Sequence, residues 1–296
     1  MMKLSYVLIT AARNEETFIE KTIQSVIAQR LLPKKWIIVS DGSTDRTDDI
    51  VKEYTKKYEW IELLRMPEHP QRNFAAKAHC VNAAREAMRD IQCDLIGNLD
   101  ADISFEEDFF EFLLKKFSET PELGVAGARY TEHGHLRAHS LKDVAGQCQL
   151  FRSECFEQIG GYIPSKHGGI DNIAVLTARM KGWKTQTFNE IAFLHHRIMS
   201  TAETSRWKAM MKHGREDYLL GNHPLWEIFR IVYQSAQKPY VIGGVMLMYG
   251  YIRAVLIRVE RPVSDEFVSF YRKVQMKRLK AIIRNLLKGK IGLEET

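Results

Sequence analysis

Residues 94–102 read Asp94-Leu95-Ile96-Gly97-Asn98-Leu99-Asp100-Ala101-Asp102. A short apolar run of this kind forms a buried strand, and this one ends on two carboxylates. Alternate residues of an extended chain point to the same side. Asp100 and Asp102 therefore share a face and repel unless something positive lies between them; a hard divalent cation is the natural partner. A surface turn is the plainer reading of such a pair, and the surrounding pattern bears on the choice. Upstream lie a helical stretch at 73–90, a strand at 60–66, and a helix at 44–57 entered through the turn Asp41-Gly42-Ser43-Thr44. Before these come the strand Trp36–Ser40, a break at Pro33, a helix at 15–29 with Phe18, Ile19, Thr22, Ile23, Val26 and Ile27 at helical spacing, and a strand at 4–10. A helix at 105–117 follows the acids. Strand and helix alternate four times, which predicts an α/β fold with a mostly parallel, doubly wound sheet. Such sheets bind ligands at the carboxyl ends of their strands, where Asp100 and Asp102 fall.

Two other strand ends carry chemistry. Asp41 closes the second strand in Val39-Ser40-Asp41-Gly42-Ser43-Thr44-Asp45. An Asx turn and a helix cap account for Ser43 or Thr44, but do not require Asp41, whose carboxylate at the strand tip can accept from a base N–H or a ribose hydroxyl. The first strand runs into Thr10-Ala11-Ala12-Arg13-Asn14-Glu15-Glu16. Its small residues let a planar group approach the backbone; an ordinary helix start with acids in its first turn is the plainer reading.

Taken in this order and spacing, TAARNEE, VSDGSTD and LDAD resemble the family 2 glycosyltransferases of the GT-A fold, a Rossmann-like architecture. The resemblance covers residues 1–200. It implies a nucleotide-binding half at 1–122 and an acceptor half at 123–200. By this resemblance Asp41 contacts the base, while Ala11, Arg13 and Glu15 line the base and ribose pocket. Asp100 and Ala101 lie at the ribose and diphosphate, and Asp102 binds the metal, Mn2+ or Mg2+. Lys77 and Asn82, in Lys77-Ala78-His79-Cys80-Val81-Asn82, resemble residues of a helix running beside the nucleotide, and Arg72 is a looser candidate for the base.

In the second half the family carries Glu-Asp before a helix ending in Gly-aromatic. Here the helix ends at Gly182-Trp183, which aligns Asp171 with the Asp and Ile170 with the missing Glu. Asp171 is the implied catalytic base; a helix cap is its plainer role. His195-His196-Arg197 follows a short strand, and the resemblance places a His near the metal there, His195 before His196. The cluster His133, His135 and His139 has no acid or Cys at spacing that would complete a zinc site. The implied activity is inverting transfer from a nucleoside-diphosphate sugar, UDP-linked before GDP- or dTDP-linked, to a hydroxyl of a glycan or lipid-linked acceptor in cell-surface polysaccharide synthesis. Two rivals remain. A phosphatase using Asp-x-Asp belongs on a first strand with Thr two residues on, where this chain has Ser104. A non-catalytic nucleotide-binding or membrane scaffold rests on Ile170 alone. A dinucleotide dehydrogenase fails for want of Gly-x-Gly-x-x-Gly after the first strand.

After residue 123 the pattern loosens. Strands are expected at 123–130, 150–153, 185–188 and 191–195, a loop at 131–140 and a helix at 171–181. From Glu203 onward only helical patterns appear, so 201–296 reads as a helical extension. The stretches Tyr218–Leu225, Lys238–Gly244 and Gln275–Leu279 resemble bacterial exopolysaccharide enzymes of the same family.

The 296 residues carry a net charge of +6, with 45% hydrophobic and 27% charged residues, which excludes disordered and fibrous classes. Residues 253–296 hold eleven Lys and Arg against five acids, an excess equal to the charge of the whole chain. With no nucleic-acid reading module, this tail reads either as a solvated helical subdomain or as a contact with an anionic membrane. Tyr240–Ile257 is apolar but for Arg253, and its glycines and aromatics suit an interfacial helix better than a spanning one. Four cysteines without a Cys-x-x-Cys pair argue against zinc or a disulfide framework. The N-terminal apolar run passes straight into charges, as a strand would rather than a signal peptide. The expected location is cytoplasmic, with a peripheral position on the inner membrane face if the tail binds lipid.

Overall fold

The computed structural model describes residues 4–67, 74–132, 134–137, 141–165, 168–197, 206–238 and 240–288. It divides into two compact units, Met1–Ile198 and Met199–Thr296. The first unit runs β1 (Tyr6–Ala12), α1 (Ile19–Ile27), β2 (Lys35–Ser40), α2 (Thr47–Thr55), β3 (Ile61–Arg65), α3 (Phe74–Ala87), β4 (Leu95–Asp100), β5 (Ile103–Phe105) and α4 (Phe109–Glu119). It continues with β6 (Leu123–Glu132), β7 (His135–Arg137), β8 (Cys148–Arg152), α5 (Ser153–Gln158), α6 (Ile170–Met180) and β9 (Lys184–His195). One sheet holds all the strands in the order β3-β2-β1-β4-β8-β6-β9-β5, with β7 paired to β6.

The half formed by β3, β2, β1 and β4 is parallel throughout. Strands buried on both faces read as continuous apolar runs, and the pleat divides each run between two cores. Tyr6 and Leu8 of β1 join Trp36 and Ile38 of β2 beneath α1, α2 and α4. Val7 and Ile9 join Ile37 and Val39 against α3, α5 and α6. Beyond β4 the sheet is mixed. β8 runs antiparallel to both β4 and β6, β9 runs parallel to β6, and β5 closes the edge antiparallel to β9.

Several elements depart from the sequence expectation. β5 and α5 were not expected; each is too short to show a period. The two strands expected at 185–188 and 191–195 are one, because the register on β6 jumps from Ala128↔Phe188 to Arg129↔Ala192 and the residues between bulge outward. The expected loop at 131–140 instead contains a hairpin, with Thr131 facing Leu136 and Glu132 facing His135.

The second unit comprises α7 (Arg206–Leu219), α8 (Pro224–Ser235), α9 (Ile242–Leu256) and α10 (Asp265–Leu287). His223 caps α8, its Nδ1 accepting from the Leu225 N–H at 3.2 Å ahead of Pro224 at the first helical position. Ser264 caps α10 through the Phe267 N–H at 3.2 Å. Asn222, wholly buried, ties three segments: its amide donates to Glu227 Oε2 at 3.0 Å and its Oδ1 accepts from Gln275 Nε2 at 2.6 Å. The His223 N–H reaches Gln275 Oε1 at 2.8 Å. The stretches Tyr218–Leu225 and Gln275–Leu279 thus meet in one buried polar hub. Among the described residues, no helix is long and apolar enough to cross a membrane.

Candidate active site

The carboxyl ends of β1, β2 and β4 lie side by side, with Ala11 paired to Val39 on one side and to Asp100 on the other. The loops leaving them are stitched together. Asn14, held at φ 55°, accepts the Thr44 N–H on Oδ1 at 2.8 Å and donates its own N–H to Ser43 Oγ at 3.2 Å. The Glu15 N–H donates to Thr47 Oγ1 at 2.7 Å. Ser43 and Thr44 therefore serve Asn14 rather than cap α2, which starts only at Thr47, and Asp45 Oδ1 accepts the Thr47 N–H at 3.0 Å. This lattice fixes Asp41, whose N–H donates to Ala12 O at 2.9 Å and whose Oδ2 lies 3.5 Å from Arg13 Nη1. Glu15 and Asp41 are both about nine-tenths buried.

From α3, Lys77 bonds the Asp100 carboxylate and donates to Gly146 O at 3.2 Å. Burial alone would lower Lys77, but the charges of Asp100, Asp171 and Asp102 outweigh it and hold the ammonium above its usual value. Asn82 points elsewhere, donating to Tyr162 O at 3.0 Å; five positions along a helix place it well off the Lys77 face. Arg72 lies outside the described residues. So do His133 and His139, while His135 is exposed on β7.

Asp171 is the second residue of α6, whose N-cap is Gly169 at φ 74°, a residue without a side chain to cap it. The Asp171 carboxylate packs against Gly146 so closely that a Cβ there would overlap it. Asp171, Gly146, Lys77 and Asp100 thus form a continuous run of contacts. Ile170 is buried in the second core, and Ala101 is buried beneath the acids.

His195 Nε2 lies 3.5 Å from Asp102 Oδ2. His196 turns away, with Nε2 2.9 Å from Ser104 Oγ and its ring stacked on Phe18. Arg197 has no role in the sequence reading. It donates from Nε to Asp102 Oδ2 at 3.0 Å, pairs with Glu15 and lies over the Phe18 ring. Burial works against Asp102, but His195 and Arg197 hold it below the usual carboxylate value. Burial likewise opposes His195, and Asp102 nonetheless lifts it above the usual imidazole value. A carboxylate oxygen beside an imidazole nitrogen suits Mn2+ or Mg2+ when a diphosphate supplies further oxygens. No three His, Cys, Asp or Glu gather into a metal cage among the described residues. His195 Nδ1 is buried without a hydrogen-bond partner.

Residues 7–170 match the Glycosyl transferase family 2 profile, more than half of the chain. The poly-β-1,6-N-acetyl-D-glucosamine synthase of Staphylococcus epidermidis is 26% identical over 143 residues, 47% of this chain and 30% of that protein. The synthase of the same name from Staphylococcus aureus strain COL is 26% identical over 139 residues, with the same coverage. The matched part thus spans under a third of these curated relatives' length. Among solved structures, the mannosyltransferase PcManGT of Pyrobaculum calidifontis, in complex with GDP-Man and Mn2+, superposes with a TM-score of 0.56 at 15% identity, over 97% of this chain and 88% of that one. Residues 1–349 of S. aureus TarS with UDP-GlcNAc give 0.55 at 12% identity, over 90% and 79%. At such identities these two structures speak for the GT-A fold. With the profile match added to that fold, the chain belongs to glycosyltransferase family 2.

Proposed function

We propose that the chain is an inverting glycosyltransferase that moves a sugar from a nucleoside-diphosphate donor to a hydroxyl of a glycan or lipid-linked acceptor, with Mn2+ or Mg2+. The observation that carries this reading is the meeting of acids at the ends of the adjacent strands β1, β2 and β4, where Glu15, Asp41 and Asp100 lie, with His195 beside Asp102 and with Asp171 joined to Asp100 through Gly146 and Lys77. The relatives named as polysaccharide synthases support the acceptor class, and the neighbours' complexes with GDP-Man, UDP-GlcNAc and Mn2+ support the donor class and the cation. UDP is the first base to test.

Asp41, with Arg13 and Glu15, would hold the base and ribose, while Ala11 leaves room for the planar ring. Asp100 would take the ribose, oriented by Lys77. Asp102 and His195 would hold the cation. When bound, the cation supplies neutralisation of charge on the departing diphosphate. Asp171 would accept the proton of the acceptor hydroxyl as its oxygen attacks the anomeric carbon. The bond to the diphosphate oxygen breaks on the opposite face, inverting the centre. Arg197 already neutralises Glu15 and Asp102 and would yield Asp102 to the cation.

A thermal-shift screen of UDP, GDP and dTDP with and without Mn2+ tests the donor half, since a bound ligand stabilises by mass action. At least one diphosphate should raise the melting temperature only with metal. No shift with any of the three would contradict the reading.

A further inference from the structure

Helix α9 is inside out. Its buried stripe is Gly243, Gly244, Leu247, Gly250 and Ala254, almost all small. Its outward face is Val245, Met248, Tyr249, Ile252 and Leu256, between 39% and 75% exposed. A helix made for water places its large apolar side chains inward and polar ones outward; here the order is reversed. The neighbouring helix continues the face. Leu225, Ile228 and Val232 of α8 lie at i, i+3 and i+7 and are 54–65% exposed. The two helices are in close contact at their connection, where a Cβ on Gly244 would overlap Ser235, so their outward apolar rows form a hairpin.

The exposed charge along these two helices has one sign, with exposed Glu260, Asp265 and Glu266 lying beyond them. From Ile228 to Val259 there is no Asp or Glu, and the charged residues are Arg230, Lys238, Arg253 and Arg258. Of these, Arg230 is committed to Asp217, while Lys238, Arg253 and Arg258 are exposed. Arg278 of α10 lies over the Trp226 ring of α8. On α10, exposed Lys273, Lys277, Lys280 and Arg284 repeat at i, i+4, i+7 and i+11, on the side opposite buried Gln275 and Leu279. Exposed Tyr233, Tyr240 and Tyr249 add rings with one apolar and one wet end, as at a lipid headgroup boundary.

We infer that α8 and α9 form a docking face that lies flat in the headgroup layer of an anionic lipid bilayer, with the Lys and Arg around it paired to lipid phosphates. The face lies in the plane because α9, at 15 residues, is only about 22 Å long against an apolar layer of about 30 Å. A second copy of the chain is a poorer occupant. A two-fold contact sets the same patch against itself, and this one would bring two positive rims together. The inference uses none of the active-site residues, so a chain that binds lipid without transferring sugar leaves it standing.

The test uses the full chain, without nucleotide or metal, in flotation with vesicles of phosphatidylcholine alone or mixed with phosphatidylglycerol. The protein should float with the mixed vesicles in low salt, much less with neutral ones, and less as salt rises. The double variant Ile252→Glu, Leu256→Glu changes only exposed positions and should melt as the parent does, yet lose binding by about tenfold or more. Tyr249→Trp should be quenched more strongly by bromines near the headgroup than by bromines at the acyl-chain ends. The inference is overturned by equal flotation with neutral and anionic vesicles, by no flotation, or by full binding in a folded double variant. It is overturned equally by a concentration-dependent dimer that the double variant dissolves.

Discussion

Asp171 and Arg197 carry the sharpest consequences at the scale of single residues. Asn and Asp cap helices about equally, so a cap would tolerate Asp171→Asn. The N-cap here is Gly169, with Asp171 second in the helix, and Asn cannot take a proton. Asp171→Asn should keep its fold and nucleotide affinity but lose single-turnover transfer by about a hundred- to ten-thousandfold. Near-normal transfer in a folded, donor-binding variant would remove Asp171 from the role of base. Arg197 lies between two mostly buried carboxylates. Arg197→Met would leave Glu15 and Asp102 facing each other without it, a loss of about 1–3 kcal/mol. Mn2+ should recover more of the melting temperature in this variant than in the parent, because it returns a positive charge to Asp102. Equal metal effects on both proteins would argue against a cation site there.

The helices of the second unit depend on two glycines and one buried acid. A Cβ on Gly214 of α7 would overlap Leu247 O of α9, and one on Gly250 would overlap Met211 O of α7. Either Gly→Ala change should force the helices apart and cost about 1–3 kcal/mol in thermal or denaturant unfolding; no loss in either would deny the close crossing. Burial pushes Asp217 up to about 7 from 3.8, with Arg230 pulling it down and Glu227 pushing it up. Between those values the folded state binds more protons than the unfolded one. Stability should therefore fall as pH rises through this window, by at most about 4 kcal/mol from this group. Asp217→Asn should flatten that dependence in thermal melts, and an unchanged slope would show that Asp217 does not carry it. At the same scale, the parallel half was readable because each strand is an apolar run broken by Pro, Gly or acids. The mixed half was readable only in part: strands were expected where β6, β8 and β9 lie, but β5 spans three residues, and the bulge in β9 imitates a turn. Asp41 and Asp100 were legible because they lie at strand ends, and Asp102 because it completes Asp-x-Asp in the turn that follows β4. The contact of Gly146 with Asp171 was not, since it exists only where α6 crosses the loop before β8.

Over the whole molecule, chemistry and charge are segregated in the chain. The family profile and the strand-end acids lie within residues 7–170 plus His195 and Arg197, while the net charge of +6 is all carried by residues 253–296. That segregation was plain in the sequence, but the inverted face of α9 was not, because its 18-residue apolar stretch gives no inside or outside without the glycine crossing. The account stands on the acids at the strand ends acting as a diphosphate and cation site. Calorimetric titration of the full chain with the diphosphate chosen by thermal shift, with and without Mn2+, for the parent and Asp102→Ala, tests this most directly. The parent should bind about tenfold or more tightly with metal, and Asp102→Ala should lose that gain while staying folded. The same metal-dependent gain in Asp102→Ala, or no gain in the parent, would contradict the account.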